Sequence, residues 1–354
     1  MSSFSRREFL EASLAVPGTA LLSTALLSTA TLNTATGASK AAASETVGVA
    51  VLGAGRGASL AHHFATLPDS QVVAICEVDE GRGNKLADAI GEKTGKRPPV
   101  VADFRTLLEK TDVDALAIAT PDHWHAPATI HACLAGKDVY VEKPASHNVR
   151  EGRLAIEAAR KHQRIVQHGT NLRGALHYEE AWKLLREGVI GKVLMAKAIN
   201  TQRRGRLEAR PDEPTPQGVN YDIWQGAAPE RPFNRNRFHG SWHWQWDYGT
   251  GDLGNDGVHQ VDLGRWALGL KAPKAVSCSG AKLGSRGDAQ ETPDTLMVTW
   301  EYDDFLYVFE QRDFTPYRMP GHRLDNDNVF YGETGFLMID REGYRIFRGN
   351  KLEK

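Results

Sequence analysis

The chain has no surplus of charge. Its 354 residues carry 43 Lys and Arg against 44 Asp and Glu, a formal net charge of −1. That balance gives no electrostatic basis for holding nucleic acid or an anionic membrane surface. Cysteine is scarce too. Cys76, Cys133 and Cys278 are the only three, and their spacing fits neither a metal site nor a redox pair. Cys76 and Cys133 sit in apolar surroundings and read as packing residues. No internal repeat is present, and no metal site is expected. Hydrophobic content of 41% and charged content of 25% are ordinary for a globular chain. The length accommodates two domains.

Nor does the apolar N-terminal stretch suit a membrane span. Ala12 to Ser39 is uncharged but rich in Ser and Thr, with Pro17-Gly18 inside it. Ser5-Arg6-Arg7-Glu8-Phe9-Leu10 precedes it and follows the twin-arginine pattern S-R-R-x-F-L. Ala41-Ala42-Ala43 offers a small-residue cleavage site. Residues 1–43 are therefore expected to be a cleaved signal that engages the twin-arginine translocase. The mature chain is expected in the periplasm or another extracytoplasmic space, exported already folded.

What the chain does have begins at Thr46. Val47 to Leu52 is an apolar run long enough for one buried strand. Gly53, Gly55 and Ala58 then fill a G-x-G-x-x-G/A fingerprint, and His62 to Leu67 reads as the body of a helix. The first glycine makes the tight turn, the second admits a pyrophosphate, and the small third residue allows close packing of helix on strand. The helix N-terminus offers free N–H groups to the phosphates. A second strand, Gln71 to Cys76, ends at Glu77, where a carboxylate accepts hydrogen bonds from ribose hydroxyls. Glu77 would repel a 2′-phosphate, so NAD is expected rather than NADP. Arg56, Thr120, His125, Glu142 and Lys143 complete the expected cofactor set.

Strands and helices alternate as far as Gln167, which means a doubly wound parallel sheet over residues 46–169. Ligands of such sheets lie beyond the carboxyl ends of the strands. From residue 170 to 354 the pattern changes to a helix-backed, largely antiparallel sheet. Arg203 to Asp247, rich in Arg, Pro, Asn and Trp, reads as an extended loop without a period. Trp242, Trp244 and Trp246 would share one side of an extended chain, and a helix is expected from Asn255 to Leu268.

Three groups carry potential chemistry. Glu142-Lys143-Pro144 follows a strand, and a lysine there can bond a substrate hydroxyl and move its proton. Asn255-Asp256-Gly257-Val258-His259 places residues four apart on one helix face, with His259 as proton acceptor. Asp122-His123-Trp124-His125 is expected in a loop at a strand's carboxyl end, for ligand contact. Arg173, Asn255 and Asp256 join Lys143 and His259 as expected substrate contacts.

Taken in order, these groups resemble the Gfo/Idh/MocA oxidoreductase family. The carriers are G-A-G-R-G-A at Gly53 to Ala58, Glu77, P-D-H-W-H-A at Pro121 to Ala126, V-Y-V-E-K-P at Val139 to Pro144, and G-D-L-G-N-D-G-V-H-Q-V-D at Gly251 to Asp262. The resemblance implies a Rossmann domain followed by an α/β domain with an open, mostly antiparallel sheet, through which the chain would form a homo-oligomer. It implies oxidation, reduction or epimerisation of a sugar or polyol with NAD(P). Lys143 and His259 stand where the family has its catalytic lysine and histidine. The chain departs from the pattern in having Asn255 where many relatives have Asp, and the resemblance makes its C-terminal domain a short form.

An exported enzyme has no outside supply of NAD, so the cofactor is expected to be tightly held and restored in each cycle. Two alternatives accompany that reading. One is redox-assisted glycoside hydrolysis, in which oxidation of one hydroxyl acidifies the neighbouring C–H and elimination breaks the glycosidic bond. The other is a sensor that binds NAD and a sugar without turnover.

Overall fold

The structure is a computed structural model that describes residues 46–314, 326–349 and 351–352. The signal motif at Arg6 and Arg7, the stretch to Ser39 and the site at Ala41 to Ala43 lie outside those residues. Chain order in the first half is β1 (Val47–Leu52), α1 (Arg56–Phe64), β2 (Ser70–Cys76), α2 (Glu80–Thr94), β3 (Val100–Val101), α3 (Arg105–Leu108), β4 (Ala115–Ile118), α4 (Asp122–Leu134), β5 (Asp138–Val141), α5 (Val149–Lys161) and β6 (Val166–His168). All pairings are parallel, in the order β3-β2-β1-β4-β5-β6. The strand order reverses beside β1, between β1 and β4. A doubly wound sheet opens its ligand crevice at that switch point.

Local chemistry sets these boundaries. Asp79 caps α2 by accepting the Arg82 N–H at 3.2 Å, and Gly95 ends it in a left-handed conformation. Asn148 and Glu151 form a reciprocal capping box on α5. β1 is buried on both faces because helices cover both sides of the sheet. Leu52, Leu116, Ile118 and Val141 pack one face, and Val49, Val51, Ile75 and Ile90 the other. Cys76 and Cys133 are buried, as expected, and Cys278 is exposed.

The second half contains α6 (Leu176–Arg186), β7 (Val193–Thr201), α7 (Tyr221–Gln225), α8 (Val258–Leu268), β8 (Ala275–Ala281), β9 (Thr295–Glu301), β10 (Leu306–Arg312), β11 (Asn326–Gly332), β12 (Gly335–Asp340), β13 (Gly343–Arg348) and β14 (Lys351–Leu352). The sheet runs β14-β13-β12-β11-β7-β10-β9-β8. Every pair is antiparallel except β7 with β10. α6 and α8 back one face, where Trp182, Leu263, Tyr307, Phe309 and Phe330 form the core. A Cβ at Gly264 would lie 2.2 Å from the Tyr307 hydroxyl, so α8 sits close on β10 only because that position is bare.

Three expectations are corrected. Asp122 to His125 is the first turn of α4, not a loop, because Pro121 with its fixed φ starts the helix there. Asn255 does not begin an α-helix. Leu253–Gly257 is a π-helical turn, and α8 starts at Val258. Residues 203–247 are not a plain loop. They hold α7, a 3₁₀ turn at Ser241–Trp244, and an aromatic core of Tyr221, Trp224, Phe233 and Phe238 that Tyr248 completes from just beyond. The tryptophans therefore part company: Trp246 is exposed, and Trp244 carries the Arg204 guanidinium at 5.2 Å.

Candidate active site

β1 delivers the fingerprint turn to the switch point. Gly53 has φ +89°, and a Cβ there would lie 2.5 Å from the Ala119 carbonyl oxygen at the end of β4. Only glycine meets both demands. The close approach of α1 to β1 is made by Gly57 rather than by Ala58. Gly57 is buried, and a Cβ there would meet Val51 Cγ1 at 3.1 Å. Ala58 is partly buried and packs against the same core. No side chain caps α1, so its first N–H groups remain for an anion. Glu77 ties β2 to this turn: its carboxylate accepts the Ala54 N–H at 2.7 Å and the Asp79 N–H at 3.1 Å.

Gly53, Gly55, Arg56, Glu77, Thr120, His125, Glu142 and Lys143 line one cavity of about 350 Å³. That is the expected cofactor set except Ala58, which lies in the packing behind it. Arg56 reaches from α1 to the buried Glu142 at the end of β5, Nε to Oε1 at 3.1 Å. Thr120 Oγ1 is buried and without a partner among the described residues. An unpaired buried hydroxyl costs about 1–3 kcal/mol, and a polar ligand in the cavity would satisfy it. The glycine turn, the uncapped helix, Glu77 and Thr120 together fit a dinucleotide.

His125 acts differently from the expectation. Its Nδ1 lies 2.6 Å from the Pro144 carbonyl and its Nε2 2.8 Å from the Thr120 carbonyl. The ring brackets the loops after β4 and β5 while forming part of the wall, and burial lowers its pKa. His123 points the other way, to the Trp224 carbonyl at 2.9 Å. Burial pushes it down to about 4. Asp122, the first residue of the same group, also lines the cavity. Burial pushes its carboxyl up to about 7, opposed by the Thr250 hydroxyl at 2.8 Å and by the Lys143 charge.

At the substrate end Lys143 meets Asn255. Nζ donates to the Asn255 carbonyl oxygen at 2.5 Å and to its side-chain oxygen at 3.2 Å. Asn255 Nδ2 in turn donates to Asp252 at 3.1 Å. The other expected substrate residues stand outside the cavity wall. Asp256 is held by Arg204 and Gln202. Arg173 makes a two-pronged pair with Asp262 at 2.6 and 2.7 Å and covers Trp266. His259 is buried, with Nδ1 unpartnered among the described residues. Its pKa falls to about 4 through burial first, then through the Lys143 and Arg341 charges. It is therefore neutral near pH 7.

The missed part of the site is the 203–248 insertion. Ile223, Trp224, His239, Trp242 and His243 complete the cavity wall. The insertion is fastened on both sides of the cleft. Asn220 N–H donates to the Val78 carbonyl at 2.8 Å, and Glu80 N–H to the Gly218 carbonyl at 2.9 Å. His239 sits 2.8 Å from Asp79 and 2.5 Å from Arg82. On the far side, Trp124 Nε1 joins His123 on the Trp224 carbonyl. The density of aromatic residues was the available signal.

Comparison with known proteins agrees with this arrangement. Residues 47–170 match the model GFO_IDH_MocA, described as "Oxidoreductase family, NAD-binding Rossmann fold". Residues 193–308 match GFO_IDH_MocA_C2, the same family's C-terminal alpha/beta domain. Glycosyl hydrolase family 109 protein 2 of Shewanella sp. is 31% identical over 210 residues, 56% of this chain and 46% of that one. The chain thus spans about half the length of that curated relative. D-glucoside 3-dehydrogenase of Escherichia coli is 24% identical over 302 residues, 84% of this chain and 73% of that one. A structure of levoglucosan dehydrogenase with NADH and L-sorbose superposes with a TM-score of 0.64 at 20% identity, covering 88% of this chain and 79% of that one. That likeness establishes shared fold.

Proposed function

Because the chain belongs to the Gfo/Idh/MocA oxidoreductase family and carries its NAD-binding Rossmann domain, we propose that it is an NAD-dependent oxidoreductase acting on CH–OH groups of a sugar, polyol or glycoside. The observation that carries this is Lys143. It shares one cavity with Gly53, Gly55 and Glu77 and is aimed by Asn255 at the cavity's end. Bound NAD would supply the hydride acceptor for the substrate carbon. Gly53, Gly55 and the start of α1 hold the pyrophosphate, and Glu77 holds the ribose. Lys143 moves the proton of the reacting hydroxyl. His259, neutral and unpartnered at Nδ1 among the described residues and one helical turn beyond Asn255 in the chain, is the candidate for a second proton-transfer group, reached only if the cavity extends past Asn255 when substrate binds.

The names of two relatives, a glycoside hydrolase and a glucoside dehydrogenase, favour a second reading within the same chemistry. Cleavage of a glycosidic bond by oxidation and elimination begins with the same step at Lys143. The twin-arginine motif at Arg6-Arg7 supports export of the folded protein with its cofactor inside. The test is a mass spectrum and absorbance of the purified mature protein, which should show NAD(H) co-purifying. Sugars, polyols and glycosides are then added while the nicotinamide absorbance is followed. If none reduces the bound NAD and none exchanges a C–H in deuterated water, the enzyme reading fails and a non-catalytic sensor replaces it.

A further inference from the structure

Simple oxidation of an alcohol needs one group to move the hydroxyl proton. The substrate end of this cavity has more than that. His243, on the 3₁₀ turn of the insertion, lines the same cavity as Lys143 and Asn255. Its ring lies flat on Trp242, with centroids 3.6 Å apart and planes at 18°, which fixes its orientation. Its Nδ1 lies against the Gly240 carbonyl. A carbonyl only accepts, so Nδ1 carries the proton and Nε2 keeps the lone pair. Nε2 has no hydrogen-bond partner among the described residues. Burial, with the Lys143 and Arg204 charges, pushes the imidazole down to about 4, so it stands as a free base near neutrality.

We propose that His243 is a catalytic base for a carbon acid, and that the site is therefore built for elimination after oxidation. This rests on the proposed oxidation of a glycoside at Lys143. With a ketone formed in the ring, His243 Nε2 takes the proton from the carbon beside it. The electron pair left behind forms a C=C bond as the next carbon's bond to the glycosidic oxygen breaks. The departing oxygen takes the proton back from the same imidazolium. One ketoglycoside gives one enone and one alcohol, with no outside oxidant. The insertion supplies the base from the wall opposite the Rossmann strands, so the fastening of residues 218–239 also places His243.

The experiment supplies the ketone ready-made, bypassing oxidation. Wild-type protein loaded with NAD is given p-nitrophenyl 3-ketoglucoside in deuterated water. Exchange at C2 is read by mass spectrometry and release of p-nitrophenol by absorbance. In His243→Gln and His243→Ala both should fall by ~10²–10⁴, the usual scale of one acid/base group. The thermal midpoint should stay near that of wild type, and reduction of bound NAD by the parent glucoside should fall by much less than exchange and release do. Exchange that survives both substitutions, or that falls no more than reduction does, overturns the proposal, as does wild-type protein that exchanges nothing. A wild type that exchanges the ketone but never oxidises a glycoside removes the oxidoreductase reading instead.

Discussion

Lys143 and Asn255 are 112 residues apart and joined by two hydrogen bonds from a single Nζ, at 2.5 Å to the Asn255 carbonyl and 3.2 Å to its side-chain oxygen. The bonds link the end of β5 to the π-helical turn before α8. That turn presents its carbonyl sideways to the cleft, a use to which π-turns are often put. An amide at position 255 orients the ammonium without adding charge. Asp252 carries the negative charge one step back, where Arg204 balances it at 2.6 Å.

Lys143→Ala should lower turnover by ~10²–10⁴. NAD affinity should change little, because the pyrophosphate and ribose contacts lie elsewhere. Asn255→Ala should leave the lysine in place but misaimed, and should cost less than Lys143→Ala. Steady-state kinetics beside a fluorescence titration with NAD separates the two. A large loss of NAD affinity in Lys143→Ala would move the lysine from chemistry to cofactor binding.

Glu77 should make the protein prefer NAD to NADP by about tenfold to a hundredfold, since charge repulsion near the surface is worth roughly 1–3 kcal/mol. Glu77→Ala should shrink that preference. It should also weaken NAD, because the Ala54 N–H loses its acceptor. Titration of wild type and variant with both cofactors gives the ratio. Equal wild-type affinities would assign the ribose contact to another group, such as Arg82.

Gly53→Ala places a methyl group 2.5 Å from the Ala119 carbonyl at φ +89°. The strain should cost at least ~1–2 kcal/mol and lower both the thermal midpoint and NAD binding. Ala58→Gly, one turn away in less crowded packing, should have the smaller effect. Calorimetry of the two variants makes the comparison.

Stability should fall in mild acid. His123 stays neutral in the folded protein down to about pH 4, whereas the unfolded chain takes up that proton near 6.5. The unfolded state binds more protons in that window, so this contribution is present above 6.5 and is lost as pH falls toward 4. His259 and His243 act in the same direction. Asp122 acts in the opposite one: its folded carboxyl keeps its proton up to about 7 and the unfolded one loses it near 3.8, so its contribution fades as pH rises. Asp313, pushed up to about 9 by burial, acts with Asp122, and the three histidines outweigh the two carboxyls. Urea melts at pH 7, 5.5 and 4.5 should show the decline, and His123→Gln should flatten it.

Replacing Arg6 and Arg7 together by Lys should hold the precursor in the cytoplasm. Fractionation with an antibody to the protein reads the outcome, and normal export of the double variant would remove the twin-arginine assignment.

The Rossmann half was legible because its signals are local. Val47 to Leu52 is a six-residue apolar run, and Gly53 follows at the turn. The second sheet was readable wherever apolar residues alternate. β11 escaped because it opens Asn-Asp-Asn, and Asp327 and Asn328 are buried all the same. The insertion escaped for a different reason. Tyr221, Trp224, Phe233, Phe238 and Tyr248 have no common period and become a core only in three dimensions. His259 was legible as a residue but not as a buried one. Its exclusion from the cavity wall follows from the π-turn, which pattern reading took for ordinary helix.

The insertion is fastened to Val78, Glu80, Asp79 and Arg82 on one side and to His123 and Trp124 on the other, so it bridges the cofactor cleft from margin to margin. A nucleotide bound beneath such a bridge should exchange at a rate that follows the local opening free energy of the insertion as well as the contacts of the Rossmann turn.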